Sequence, residues 1–166
     1  MKKLPVSFEF FPPKTPEGAE KLRAVRQQLY TQAPEFCSVT YGAGGSTRER
    51  TLSIVDQIQQ AAPIAVAPHL SCIGDNKSEI AELLHRYKNQ GIKNLVALRG
   101  DLPSGQVGLG ELPYARDLVE FVRQETGDHF HIEVAAYPEM HPQSYDYESD
   151  LKNFVAKVNA GADSAI

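Results

Sequence analysis

The chain has 166 residues, 42% of them hydrophobic and 23% charged, with a formal net charge of −4. That is enough for one domain with a real core, and the scattered basic residues exclude the dense cationic face that nucleic acid requires. No apolar stretch approaches the roughly 20 residues of a membrane span, and Pro5, Ser7 and Glu9 break any signal-peptide core after Met1-Lys2-Lys3-Leu4.

The first apolar run, Val6 to Phe11, reads as a strand. Alternation puts Ser7, Glu9 and Phe11 on one face and Phe8 and Phe10 on the other. Pro12-Pro13 stiffens its exit. Thr15-Pro16-Glu17 then opens a helix with a capping hydroxyl, a proline and an acid, and Leu22, Val25 and Leu29 form its expected buried stripe. A second strand, Phe36 to Tyr41, leads to the capping box Ser46-Thr47-Arg48-Glu49 and a helix with the stripe Leu52, Val55 and Ile58. The third strand, Ile64 to His69, precedes a helix carrying Ile80, Leu83, Leu84 and Tyr87 at i, i+3, i+4, i+7 and stopping at Gly91. The fourth, Asn94 to Asp101, runs into the longest loop, Leu102 to Leu112, expected as a mobile lid. Its glycines are spaced G-x-x-G-x-G, which is not a dinucleotide fingerprint. A helix from about Pro113 to Gly127 buries Leu118, Phe121 and Val122. After the fifth strand, Ile132 to Glu139, a helix from about Glu148 to Gly161 is expected to bury Leu151, Phe154, Val155 and Val158. Ala162 to Ile166 reads as the start of a sixth strand.

Strand alternating with helix in units of about 30 residues predicts a parallel sheet in one domain, residues 1–166. Parallel strands share one C-terminal rim, where (β/α)8 barrels keep their chemistry. Glu9, Thr40, Tyr41, His69, Arg99, Asp101, Tyr137 and Glu139 are therefore candidates for a single cleft. Glu9, desolvated in the mouth of a barrel, would suit a general acid; a structural glutamate paired to a base is the alternative. Gly100 would let a flat ligand approach the backbone, and Asp101 would accept hydrogen bonds from a polar heterocycle, unless Arg99 and Asp101 are merely a surface pair. Tyr41, Tyr114 and Tyr137 suit stacking on a planar ligand or plain packing. His69 and His141 lie near the rim; His85 is on a helix, and His129 and His131 precede the fifth strand. His69, Asp101 and Glu139 would make a metal-dependent hydrolase the rival enzyme, but there is no H-E-x-x-H and no metal site is assigned. Cys37 and Cys72 read as buried reduced thiols of a cytoplasmic protein.

Ser7-Phe8-Glu9-Phe10-Phe11-Pro12-Pro13-Lys14, Ser38-Val39-Thr40-Tyr41-Gly42-Ala43, Ala67-Pro68-His69-Leu70-Ser71-Cys72, Ala97-Leu98-Arg99-Gly100-Asp101 and Ala135-Ala136-Tyr137-Pro138-Glu139-Met140-His141-Pro142 occur in order along the whole chain. Together they closely resemble the strand-end motifs of the bacterial-type methylenetetrahydrofolate reductases. The resemblance implies a flavoprotein (β/α)8 TIM barrel, present here as about five βα units plus the start of strand six. It implies reduction of 5,10-methylenetetrahydrofolate to 5-methyltetrahydrofolate in one-carbon and methionine metabolism, with FAD as cofactor and NADH or NADPH as co-substrate. Glu9 matches the family's general acid. Asp101 matches an aspartate that holds the pterin and tunes the flavin, and Thr40 stands beside it in the substrate-binding set. The flavin-binding set implied is Thr40, Tyr41, Ala43, His69, Arg99, Gly100, Asp101, Tyr114, Ala115, Tyr137 and His141, with Asp150, Asn153 and Lys157 near the adenosine and phosphates. Family members continue past the sixth strand with further substrate contacts, and the full-length protein is expected to be a homo-oligomer. A truncated, non-catalytic fragment is the remaining alternative for the chain as it stands.

Overall fold

A computed structural model describes residues 4–41, 45–61, 63–101 and 110–166. Its elements alternate as the sequence predicts: β1 (Ser7–Phe10), α1 (Pro16–Tyr30), β2 (Phe36–Val39), α2 (Gly45–Ala61), β3 (Ala65–Ser71), α3 (Lys77–Asn89), β4 (Asn94–Leu98), α4 (Ala115–Thr126), β5 (His131–Val134), α5 (Tyr147–Asn159) and β6 (Ser164–Ala165). The strands form one parallel sheet in the order β1-β2-β3-β4-β5-β6. The sheet is curled, with helices on its outer side, so the chain makes part of a (β/α) barrel. The loop expected as a lid lies largely outside the described residues, at 102–109.

Alternation divides every strand. Phe10, Cys37, Val39, Val66, Leu70, Leu95, Ala97, Ile132 and Val134 pack under the helices in one continuous core. The register then puts Glu9, Ser38 and Ala67 side by side on the inner face, and His69, Val96, Glu133 and Ser164 in a second row. From the helices the core receives Leu52, Val55 and Ile58 of α2, Ile80, Leu83, Leu84 and Tyr87 of α3, and Leu118, Phe121 and Val122 of α4, as the periodicity predicts.

Helix starts are capped. The Thr15 hydroxyl accepts from the Gly18 N–H at 3.1 Å. Asn76 and Glu79 form a reciprocal box opening α3. The Asp117 carboxylate accepts from the Tyr114 N–H at 2.9 Å, and Asp146 from the Ser149 N–H at 2.7 Å. Each such cap satisfies donors that the first helical turn leaves over. α2 begins at Gly45, one residue ahead of the expected cap Ser46. At the opposite end of the sheet from the rim, Arg123 of α4 joins three elements: it donates to Gly161 O after α5, to Phe130 O before β5 and to Asp163 before β6.

Two helices depart from expectation. On α1, Leu22 and Leu29 reach the core, but Val25 is exposed and Arg26 is turned inward, only 3% accessible. Its Nη2 donates to Gln57 Oε1 at 3.0 Å, while Nε and Nη1 have no partner among the described residues. A buried guanidinium held by one neutral acceptor is a poor source of stability. Arg26→Met should therefore leave the melting temperature unchanged or raise it. Gln57→Ala, which strips the guanidinium of its acceptor, should cost about 1.5–3 kcal/mol. Thermal melts of the two variants decide this, and the reverse order would show that Arg26 is a structural anchor. On α5, Phe154 packs against the core, but Leu151, Val155 and Val158 are each about half exposed. The described sheet ends at β6, and no described residue covers that face of the helix.

Candidate active site

The rim gathers the strand-end residues into two groups. The first is on the inner face of β1 to β3. Glu9 faces inward, as alternation predicts, and its Oε2 lies 3.1 Å from Nε2 of His69. The N–H direction of the ring misses the carboxylate, so the contact is electrostatic rather than an aligned hydrogen bond. The desolvation expected for Glu9 is not there: its side chain is 43% accessible, on the open side of the curled sheet. His69 is the buried partner, and burial pulls its pKa down to about 4. It is therefore neutral at neutral pH.

That shift has a consequence for stability. In the unfolded chain His69 binds a proton near its ordinary pKa of 6.5. Folding excludes that proton, so the unfolded state binds more protons as pH falls from 6.5 towards 4, and stability falls with it. The loss is at most about 3 kcal/mol. His69→Asn should flatten this part of the pH–stability curve, measured by thermal melts; an unchanged slope would mean that other groups carry it.

Thr40 follows β2, its N–H bonded to Phe10 O and its carbonyl to the Thr51 hydroxyl. Tyr41 joins a polar cluster among the loops after β2 and β3 that the sequence did not reveal. Its hydroxyl donates to Asp75 Oδ2 at 3.1 Å, and Arg48 donates to the same oxygen at 3.2 Å. Burial first, then the Asp75 charge, pushes the phenol up to about 12. Ala43 lies outside the described residues.

The second group surrounds a cavity of about 600 Å³ between the ends of β4 and β5 and the starts of α4 and α5. Arg99, Tyr114, Ala115, Tyr137, His141, Asp150, Asn153 and Lys157 all line it. Its wall mixes charged and polar side chains with three tyrosines and a few aliphatic groups, so it can hold a ligand that is both planar and charged. The Tyr137 and His141 rings meet edge to face at 4.6 Å. The Lys157 ammonium donates to Ala135 O and stands 5.4 Å from the centre of the Phe154 ring. Burial lowers its pKa, and Asp150 acts in the opposite direction. Asp150 is committed to its own loop: Oδ1 accepts from the Ser144 hydroxyl and Oδ2 from the His141 N–H, and these bonds hold its pKa below the usual range.

Gly100 takes φ +85°, and a Cβ there would lie 2.0 Å from Ser71 Oγ. Asp101 is exposed and makes no hydrogen bond or ion pair among the described residues. The Arg99–Asp101 surface pair does not form, because Arg99 donates to Gly100 O and to Gln143 Oε1 instead. His69, Asp101 and Glu139 do not assemble: among the described residues no three His, Cys, Asp or Glu side chains come together as a metal site would require.

Sequence reasoning missed Arg116, Gln143, Ser144 and Tyr147 in the cavity wall. It also missed Glu133, whose signal was in plain alternation two residues before Ala135. Glu133 is buried on the inner face, where desolvation raises its pKa; Ser164 donates to Oε1, and Oε2 has no partner among the described residues.

The profile described as "Methylenetetrahydrofolate reductase" matches residues 1–166. The chain belongs to the methylenetetrahydrofolate reductase family. It is 47% identical over 161 residues to the 5,10-methylenetetrahydrofolate reductase of Escherichia coli K12, covering 97% of this chain and 53% of that protein. The corresponding protein of Pectobacterium carotovorum is 45% identical with the same coverage. Maize methylenetetrahydrofolate reductase (NADH) 1 is 41% identical over 170 residues, covering 95% of this chain and 29% of that one. The chain thus spans about half the length of its bacterial relatives in the family. Among solved structures, a phosphoenolpyruvate phosphomutase from Streptomyces platensis superposes with a TM-score of 0.61 at 15% identity, covering 98% of this chain and 59% of that one. That likeness concerns the fold alone. No helix among the described residues is long and apolar enough to cross a membrane.

Proposed function

We propose that this chain forms the flavin-binding and acid-bearing part of an enzyme that reduces 5,10-methylenetetrahydrofolate to 5-methyltetrahydrofolate. The observation that carries the reading is the cavity, where Arg99, Tyr114, Ala115, Tyr137, His141, Asp150, Asn153 and Lys157 meet although they come from separate parts of the chain.

The residues present fit a flavin dinucleotide. Arg99 and Lys157 supply the cationic donors that a pyrophosphate needs, Tyr114, Tyr137 and Tyr147 supply aromatic surface, and the rim at Gly100 has no room for a side chain. FAD, when bound, would carry hydride from NADH or NADPH to the methylene carbon. The chain does the rest. Asp101, exposed and unpaired, accepts hydrogen bonds from the pterin, with Thr40 beside it. Glu9 donates a proton to the folate nitrogen so that the methylene-bridged ring opens to an electrophilic iminium. Neutral His69, 3.1 Å away, does not form a fixed ion pair with Glu9 at neutral pH and so leaves the side chain free to face the substrate. This reading also includes a cytoplasmic homo-oligomer supplying methyl groups for methionine synthesis.

The test is a spectrum and an assay. A protein that carries this chain together with the remaining units of the barrel should show bound flavin absorbance and form 5-methyltetrahydrofolate from the methylene substrate with NADH or NADPH. Bound zinc without flavin, or no methyl product, would overturn the proposal.

A further inference from the structure

The loop between β5 and α5 is organised by a carboxylate in the first turn of α5. Asp150 Oδ1 accepts from the Ser144 hydroxyl at 2.8 Å and Oδ2 from the His141 N–H at 3.1 Å. The Gln143 N–H donates to His141 Nδ1 at 3.1 Å, and the Ser144 N–H to His141 O at 2.9 Å. These bonds fix the turn and carry the Gln143 side chain across to the end of β4. There its Oε1 accepts from Arg99 Nη2 at 2.7 Å, while Arg99 Nε donates to Gly100 O at 3.2 Å. A guanidinium has five N–H donors in one rigid plane. Two contacts from two directions define that plane, and Arg99 lines the cavity wall with its other donors unpaired among the described residues.

The chemistry of the partner matters as much as its place. Gln143 is neutral, so it holds the guanidinium without cancelling its charge. Two carboxylates stand near enough in sequence or space to have taken that role. Asp101, two residues on, makes no contact with Arg99, and both oxygens of Asp150 are engaged inside the loop. We propose that Gln143 is a positioning residue that clamps the Arg99 guanidinium at the cavity while leaving its full positive charge to a phosphate-bearing ligand. The dinucleotide part of this rests on the flavin reading above; the clamp itself does not.

Two variants separate its two elements. Gln143→Ala releases Arg99. Gln143→Glu keeps a bond to it but neutralises it as an ion pair. In the ligand-free full chain, the ¹⁵N-resolved NMR signals of the Arg99 guanidinium should show hindered rotation in the wild type and in Gln143→Glu, and free rotation in Gln143→Ala. Titration with FAD should show affinity lowered about tenfold in both variants, whereas riboflavin, which has no phosphate, should bind all three proteins equally. Identical Arg99 signals in wild type and Gln143→Ala would overturn the clamp. Equal loss for FAD and riboflavin would show that Gln143 merely shapes the cavity wall, and would overturn its electrostatic role. If the wild type binds neither flavin, the flavin reading falls and the charge argument with it, while the NMR comparison still decides the clamp.

Discussion

Gly100→Ala should be among the most damaging single substitutions in this protein. The new Cβ would meet Ser71 Oγ at 2.0 Å and Ile73 Cγ2 at 2.9 Å, on a residue whose φ is +85°. Ser71 cannot give way freely, because its hydroxyl donates to Arg99 O at 2.8 Å and so ties β3 to the end of β4. Overpacking costs about 1–3 kcal/mol, and a side chain in the left-handed region about 1–2 more. A combined loss of about 3 kcal/mol or more would lower the melting temperature by roughly 10 °C in a domain of this size. Because Arg99 is the next residue, ligand binding in the cavity should weaken as well. Adding Ser71→Ala removes the worst clash, so the double variant should recover part of the lost stability, and a double-mutant cycle would read that coupling. An unchanged melting temperature in Gly100→Ala would mean that the rim is looser than its contacts imply.

The second large effect concerns Glu9, in a protein that carries this chain and catalyses the proposed reaction. Glu9→Gln keeps the shape of the side chain and its place 3.1 Å from His69, but it has no proton to give. Losing a general acid slows a reaction by about 10²-fold or more. Oxidation of NADH or NADPH by an artificial electron acceptor needs no acid at the folate and should continue at nearly the wild-type rate. Steady-state assays with the two acceptors make the comparison. A parallel fall in both would assign Glu9 to structure.

How far the sequence reached depended on what each pattern encodes. The stripes of α2, α3 and α4 were legible because each of those helices is covered by the sheet and by neighbouring helices. The same spacing misled on α5, where Leu151, Val155 and Val158 share a face that nothing in the described structure covers, and on α1, where Arg26 is buried and Val25 is not. Periodicity tells which residues point the same way; it does not say what lies opposite. Strand alternation placed Glu9 on the inner face, but its approach to His69 depends on the register of β1, β2 and β3, which alternation does not fix. Gln143 and Ser144 were invisible for another reason. Their contacts depend on the path of an irregular loop, set by the Asp150 carboxylate, and no repeating pattern records that path.

The strands lie in the sheet in the order in which they occur in the chain. Every pairing is therefore made with the unit synthesised just before, so each strand finds its partner already present as the polypeptide leaves the ribosome. Contacts that close short loops form fastest. Glu9 and His69 meet once the third strand has docked, well before the second half of the chain exists. The cavity wall needs β4, β5 and α5, and its last lining residue is Lys157. The pocket thus matures after the acid–imidazole pair, on a scaffold already in place, and a ligand bound there would hold the fourth and fifth units together rather than nucleate the first.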